Sequence, residues 1–205
     1  MGRIEIEQGD EKVNKKLPFA IPTLTGKQVT LRPITRDDYK HIFKWQTDTR
    51  QLHLWWADRD ILPFEEFVTD LERRLRRFIH TIFIIESIND KKPAGMVYSY
   101  NTSMLDRYTY LCVYLSPEYI RKSMGPEAGK LFANYLFQYY GFRKIYAEII
   151  SYNQGSLRLA RWNGFVQEGC LKDYRWFGNC YWDLHILAIS ADKFMERIEK
   201  NTRNI

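Results

Sequence analysis

Cysteine and histidine are scarce in this sequence, and the few present do not cluster. The three cysteines, Cys112, Cys170 and Cys180, are an odd number at spacings unlike those of metal ligands. The four histidines do not complete a ligand set with them. The sequence therefore predicts neither a structural metal nor a disulfide framework. In addition, no Cys or Ser stands at a spacing from a His that is typical of a nucleophile pair.

Long apolar runs and targeting segments are also absent. No run approaches the length of about 18 apolar residues that a membrane-spanning helix requires, so we expect no membrane partner. The first residues, MGRIEIEQGDEKVNKK, mix acids and bases without an apolar block. They are therefore typical of neither a secretory signal nor an Arg-rich transit peptide, and we expect a cytoplasmic location.

No stretch inside the chain has the composition of an interdomain linker. With 205 residues, the chain is long enough to bury one sizeable core. We therefore predict a charged arm over residues 1–20, a single domain over residues 21–190 and a helical tail over residues 191–205.

The charge balance is moderately basic, with 31 Lys and Arg against 25 Asp and Glu and a net charge of +6. This excess could favour an anionic ligand or an RNA surface. The densest basic patch, however, lies in a segment with a helical apolar stripe, which indicates a solvated helix face. That patch consists of Arg73, Arg74, Arg76 and Arg77. A role in RNA binding would rest on charge alone, and we predict no nucleic-acid partner.

The hydrophobic pattern predicts an α/β chain with strands and helices mixed along its length. Strands are indicated over residues 28–33, 81–87, 94–100, 108–116, 144–151, 165–176 and 180–189. Helices are indicated up to residue 46 after a capping pair at Thr35 and Asp38, and over residues 63–79, 126–141, 156–162 and in the tail. The strand, helix and strand over residues 108–151 favour parallel pairing with a right-handed crossover.

Aromatic residues indicate a candidate acceptor site. The segment HLWWADRD, predicted as an aromatic loop, places Trp55 beside Trp56, and neighbours in an extended segment point to opposite sides. One of them either lines a cleft or caps the core. Tyr98 and Tyr100 alternate with Ser99, which puts both tyrosines on one face of a strand. They either line the same cleft or pack against a helix.

The turn between the strand at 108–116 and the following helix carries residues suited to phosphate. Its side chains and amides come before a helix N-terminus, where unpaired N–H groups and the positive end of the helix dipole attract anions. We predict a pyrophosphate site here. It consists of Arg121, Lys122, Ser123, Met124 and Gly125.

Three phrases carry a resemblance to a known family. VYLSPEYIRKSMGPEAGKLF, NQGSLRLARWNGF and EGCLKDYRWFGNCYWDLHILAIS resemble the coenzyme motif, the Asn-led helix and the last hairpin of the GCN5-related N-acetyltransferases (GNAT). The likeness covers roughly residues 26–190, and the branch it favours is the ribosomal-protein N-terminal acetyltransferases. The resemblance implies a mixed, mostly antiparallel central sheet of six to seven strands. It also implies one parallel, splayed pair and about four flanking helices.

The resemblance also implies acetyl-CoA as the co-substrate. The backbone of Val113 and Leu115 would pair with the pantetheine arm like an added strand, and Asn153 would hold an amide of that arm from the far side. The N–H of Leu115 is the candidate for stabilising the oxyanion. The motif departs from the family pattern at Ile120, where Gln or Arg is usual, and at Ser123, where Gly is usual.

The function that the resemblance implies is acetyl transfer to a primary amine by direct attack on the thioester. The acceptor is either a protein N-terminus or a small amine. One alternative is an acetyltransferase for aminoglycosides or polyamines, and another is a non-catalytic module that binds acyl-CoA. The oligomeric state stays open, with a homodimer among the alternatives.

The general base is the least defined part of the predicted site. A Glu that the family often carries falls on Tyr110, and a Tyr acid of the family falls on Ala160. An alkylammonium with a pKa near about 10.4 needs a proton acceptor before it can attack, whereas an α-amine needs less help. The candidates for this role are Asp183, Glu86 and Tyr110, with water relayed by hydroxyl groups as a further alternative.

Overall fold

A computed structural model describes residues 23–55, 61–76, 81–120 and 123–203. One eight-stranded sheet runs in the order β1-β2-β3-β4-β5-β6-β8-β7. The strands are β1 (Leu24–Thr25), β2 (Val29–Pro33), β3 (Ile82–Ser87), β4 (Pro93–Ser103), β5 (Tyr108–Leu115), β6 (Lys144–Ile150), β7 (Val166–Phe177) and β8 (Cys180–Ser190). All neighbouring strands are antiparallel except β5 and β6, which are parallel.

Helices cover both faces of this sheet. They are α1 (Tyr39–Gln46), α2 (Thr49–Trp55), α3 (Phe64–Leu75), α4 (Met124–Tyr140), α5 (Gln154–Trp162) and α6 (Ala191–Arg203). On one face, Phe132 and Leu136 of α4 are fully buried against the sheet, and Leu157 of α5 packs with Ala147 and Ile149 of β6. On the other face, α1 and α3 bury Ile42 and Phe67. No helix among the described residues is long and apolar enough to cross a membrane.

The parallel strands β5 and β6 are paired over a short length only. Their register is Tyr108 with Lys144, Thr109 with Ile145 and Tyr110 with Tyr146. Beyond these positions β5 continues to Leu115 in pairing with β4, and β6 continues to Ile150 in pairing with β8. The two strands therefore part, and we call the gap between residues 111–115 and 147–150 the β5–β6 cleft.

The predicted fold class is confirmed, with a few differences in the elements. The described residues form eight strands and six α-helices, which is more of each than predicted, in part because β1 is too short to recognise. The predicted aromatic loop is wrong up to residue 55, since α2 covers Thr49–Trp55. Asp48 explains this start, because its carboxylate accepts a hydrogen bond from the Arg50 N–H at 3.1 Å. The predicted arm at residues 1–20 lies outside the described residues.

Candidate active site

Backbone donors line one wall of the β5–β6 cleft. The N–H of Ser116 donates to the carbonyl of Ala94 in β4 at 2.8 Å. Because successive N–H groups of a strand point to opposite sides, those of Val113 and Leu115 point away from β4 and into the cleft. Among the described residues, no strand pairs with β5 on that side beyond Tyr110. The cleft wall therefore presents the kind of edge that an extended ligand can join like an added strand.

The N-terminus of α4 lies along the same wall. The helix begins at Met124, two residues before the predicted start at Pro126. A Cβ built on Gly125 would lie 3.2 Å from Cδ1 of Leu115, and one on Gly129 would lie 3.3 Å from Cγ2 of Val113. These two glycines therefore let the first turns of α4 approach β5 closely. Arg121 and Lys122, predicted for phosphate, lie outside the described residues.

Ser123 caps α4 in a conformation that favours glycine. Its φ of +58° and ψ of 6° are left-handed, which costs an L-residue roughly 1–2 kcal/mol. We expect Ser123→Gly to raise the free energy of unfolding by about 1 kcal/mol, measured by urea denaturation. Ser123→Ala is the matched control, because it removes the hydroxyl and keeps the strain. An equal gain in both variants would contradict a cause in the backbone.

Asn153 stands at the opposite wall of the cleft. Its side-chain Oδ1 accepts a hydrogen bond from the N–H of Ser156 at 3.2 Å, so Asn153 caps α5 directly after the end of β6. The N-termini of α4 and α5 thus follow the two strands that part. The role predicted for Asn153 toward a pantetheine arm stays a prediction.

A group of tyrosines lies on the other side of the sheet from α4. Their strand neighbours Val97 and Leu111 pack with the α4 core, so these rings point to the opposite face. Ring centroids lie 5.8 Å apart for Tyr98 and Tyr100, 5.3 Å for Tyr100 and Tyr110, and 5.0 Å for Tyr110 and Tyr146. We call this group the tyrosine face; its members are Tyr98, Tyr100, Tyr108, Tyr110 and Tyr146.

Glu148 extends the tyrosine face at the point where the strands part. It lies two residues beyond Tyr146 on the same side of β6, since Ala147 and Ile149 pack with α5 on the other side. The Tyr100 hydroxyl donates to Oε2 of Glu148 at 3.3 Å. Burial raises the pKa of Glu148, and the hydrogen bond from Tyr100 and the charge of Arg175 oppose that rise only in part.

The end of α2 contacts the β7–β8 hairpin. The carbonyl of His53 accepts hydrogen bonds from the Tyr152 hydroxyl at 2.5 Å and from Nη1 of Arg175 at 3.3 Å. The His53 ring stacks on Phe177 with centroids 4.4 Å apart. Trp55, predicted for the acceptor, is the last residue of α2, and Trp56 lies outside the described residues. Their predicted role in the acceptor site stays a prediction.

Of the three predicted bases, only Tyr110 belongs to the tyrosine face. Asp183 instead accepts hydrogen bonds from Nζ of Lys172 at 2.7 Å and from the N–H of Asp173 at 3.1 Å, where β7 bulges. The hydrogen bond from Lys172 lowers the pKa of Asp183. Glu86 accepts a hydrogen bond from Nε of Arg32 at 2.7 Å. The structure thus ties both carboxylates to cations, and the catalytic role of all three residues stays a prediction.

Sequence reasoning missed Glu148, Tyr146 and Arg175. A signal for Glu148 was present, because it is the lone acid in an otherwise apolar and aromatic strand, YAEII. Strand alternation alone also puts it on the side of Tyr146. The described residues contain no group of three or more His, Cys, Asp or Glu side chains arranged to hold a metal ion.

Comparisons with known proteins agree with this geometry. A family model described as "Acetyltransferase (GNAT) domain" matches residues 28–166. The spermidine N(1)-acetyltransferase of Escherichia coli K12 is 27% identical over 149 residues, covering 71% of this chain and 76% of that protein.

Two solved structures share the fold. The spermidine N-acetyltransferase of Vibrio cholerae in complex with CoA and spermine has a TM-score of 0.78 and 21% identity, covering 83% of this chain and 99% of that one. A dodecameric structure of the spermidine N-acetyltransferase from Vibrio cholerae has a TM-score of 0.74 and 21% identity, covering 84% and 99%.

Proposed function

Because this chain belongs to the GNAT acetyltransferase family and is an N-acetyltransferase, we propose that it transfers the acetyl group of acetyl-CoA to a primary amine of a small polyamine. The amine attacks the thioester carbonyl directly. The single observation that carries this proposal is the parting of β5 and β6 after Tyr110 and Tyr146. It leaves one cleft with backbone donors on the α4 side and the tyrosine face on the other.

The coenzyme would occupy the α4 side of the β5–β6 cleft. The N–H groups of Val113 and Leu115 would pair with the pantetheine arm. The pyrophosphate would meet the amides of Ser123, Met124 and Gly125 at the start of α4, where the helix dipole favours an anion. Arg121 and Lys122 would add cationic side chains.

The acceptor would reach the thioester from the tyrosine face. Aromatic rings attract ammonium groups through their negative faces, and the Glu148 carboxylate adds an opposite charge. A polyamine carries several ammonium groups and fits such a surface. The spermidine acetyltransferases among the relatives support this choice over a protein N-terminus, the other acceptor that the resemblance implies. They give no support to the ribosomal-protein branch, which stays a prediction.

The proposal is tested by thiol release from acetyl-CoA with a panel of acceptors. The panel contains spermidine, spermine, an aminoglycoside and a peptide with a free N-terminus, and coenzyme binding is measured in parallel by calorimetry. We expect turnover with the two polyamines at the highest kcat/KM. A preference for the peptide or the aminoglycoside would overturn the polyamine assignment. Tight coenzyme binding without turnover on any acceptor would favour the non-catalytic module.

We propose that the chain also assembles with copies of itself, and the predicted homodimer would be the smallest such assembly. The support is the dodecameric Vibrio cholerae relative of the same fold. Light scattering after size-exclusion chromatography measures the oligomeric state directly. A monomer at the protein concentration of the activity assay would contradict the proposal.

A further inference from the structure

Glu148 differs from the other candidate carboxylates in its partners. Asp183 and Glu86 each contact a cation at 2.7 Å. Among the ion pairs found within the described ranges, Glu148 takes part in none, and its hydrogen-bond donor is the neutral Tyr100 hydroxyl. A half-buried carboxylate with no salt bridge remains available to a cation from solution.

Glu148 also lies at a defined point of the sheet, next to the last pair of residues that joins β5 and β6. Tyr146 is the last residue of β6 that pairs with β5, and Glu148 is the next residue on the same side. The carboxylate therefore stands at the inner end of the β5–β6 cleft, on the side away from α4. An amine that approaches from the tyrosine face would pass Glu148 before it reaches a thioester held in that cleft.

We propose that Glu148 binds the acceptor ammonium and accepts its proton, an inference that rests on the proposed function. The carboxylate takes one proton from the ammonium, and the neutral nitrogen forms a bond to the thioester carbonyl carbon. The C–S bond then breaks, and the thiolate of coenzyme A takes the second proton that the nitrogen loses. Glu148 finally releases its proton to solvent, so one proton is released for each acetyl group transferred.

The groups around Glu148 suit this role. Burial raises the pKa values of Tyr100 in β4 and Tyr110 in β5, so both hydroxyls stay protonated and neutral at ordinary pH. Tyr146 lies next to Glu148 on the same side of β6. Within the described part of the chain, the charge of Arg175 in β7 acts on Glu148 and favours the carboxylate. A carboxyl whose pKa is raised toward the working pH is also a stronger base for an ammonium group.

The pH dependence has a definite sign. Glu148 acts only as the carboxylate, so kcat/KM for the amine should fall as the pH drops through its pKa. Tyr100→Phe removes a hydrogen bond to the carboxylate, and Arg175→Gln removes a favourable charge. Each change raises the pKa of Glu148 further and should move the acidic limb of the profile to higher pH.

The decisive variant is Glu148→Gln, which keeps the shape of the side chain and removes its charge. We expect kcat/KM for spermidine to fall about 100-fold or more at neutral pH. We also expect the pH profile of kcat/KM to lose the acidic limb that the protonation of Glu148 causes. Part of the activity should return as the pH approaches about 10, where an alkylamine loses its proton unaided. Calorimetry should show unchanged binding of coenzyme A, since Glu148 lies on the other side of the sheet from α4.

Glu168→Gln is the matched control, because Glu168 is an exposed carboxylate that pairs with Lys144 at 2.7 Å at the end of β6 away from the cleft. It should keep the activity and pH profile of the wild type. Circular dichroism and the coenzyme affinity report whether Glu148→Gln folds, and Glu148→Asp serves as a second variant that should keep part of the activity. A Glu148→Gln enzyme with the wild-type rate and acidic limb would overturn this inference alone. A wild type without turnover on any amine would overturn the proposed function with it.

Discussion

Replacing Leu115 with proline is expected to lower kcat/KM for acetyl-CoA by roughly 10- to 100-fold in a protein that still folds. The reason is the direction of one N–H group. That of Leu115 points into the β5–β6 cleft, whereas the N–H of Ser116 pairs with Ala94 in β4. Proline at position 115 removes a donor that no described strand uses, so the sheet keeps its hydrogen bonds. Under the proposed function, the pantetheine arm loses a backbone donor in the cleft.

Two further variants separate this effect from damage to the strand. Leu115→Ala shortens the side chain and keeps the N–H, so it should retain most of the activity. Ser116→Pro removes an N–H that the sheet does use, since this N–H donates to Ala94 at 2.8 Å. The φ of −66° at Ser116 already suits proline, so the lost hydrogen bond is the main change. Ser116→Pro should lower the melting temperature more than Leu115→Pro does. It should lower kcat/KM for acetyl-CoA less than Leu115→Pro does. If Leu115→Ala lost as much activity as Leu115→Pro, the side chain and not the N–H would be responsible.

Local patterns were sufficient to predict most of the fold. The last hairpin was predicted from its turn residues, and Gly178 and Asn179 both take a φ of +61°, as two-residue hairpins prefer. Gly141 likewise ends α4 with a φ of +62°. The missed helix α2 has only seven residues, and the aromatic side chains near its end suggested a loop. Its start signal, Asp48, was present in the sequence.

The coenzyme side of the candidate site can be predicted from the sequence more fully than the acceptor side. The coenzyme side is built from a strand, a turn and a helix that follow one another in the chain, so its pattern is local. The acceptor side joins Tyr100, Glu148 and Arg175 from three separate strands. Bringing them together requires the pairing register of β4 through β8, which the sequence does not state. For this reason Asp183 and Glu86 were predicted as bases, and their pairing with Lys172 and Arg32 was not foreseen.

The ion pair between Arg32 and Asp38 should have the largest effect on stability. Asp38 is 2% exposed and accepts hydrogen bonds from Nη1 and Nη2 of Arg32, both at 2.8 Å, as well as from the N–H and hydroxyl of Thr35. Asp38→Ala leaves the Arg32 charge without its buried partner and removes the acceptor for the N–H and hydroxyl of Thr35. We expect the free energy of unfolding to fall by about 3 kcal/mol or more in urea denaturation.

Glu86→Gln is the control, because Glu86 pairs with the same guanidinium but has a partly exposed side chain. It should cost about 1 kcal/mol or less. The pH dependence gives a second test. Burial alone would raise the pKa of Asp38, but the hydrogen bonds from Arg32 and Thr35 outweigh it and lower the pKa. A lowered carboxyl pKa stabilises the fold above the unfolded value of about 3.9, and this stabilisation is lost as the pH falls through the folded value. The gap between wild type and Asp38→Ala should therefore narrow in acid, and a gap that stays constant at low pH would show that lost packing, not charge, causes it.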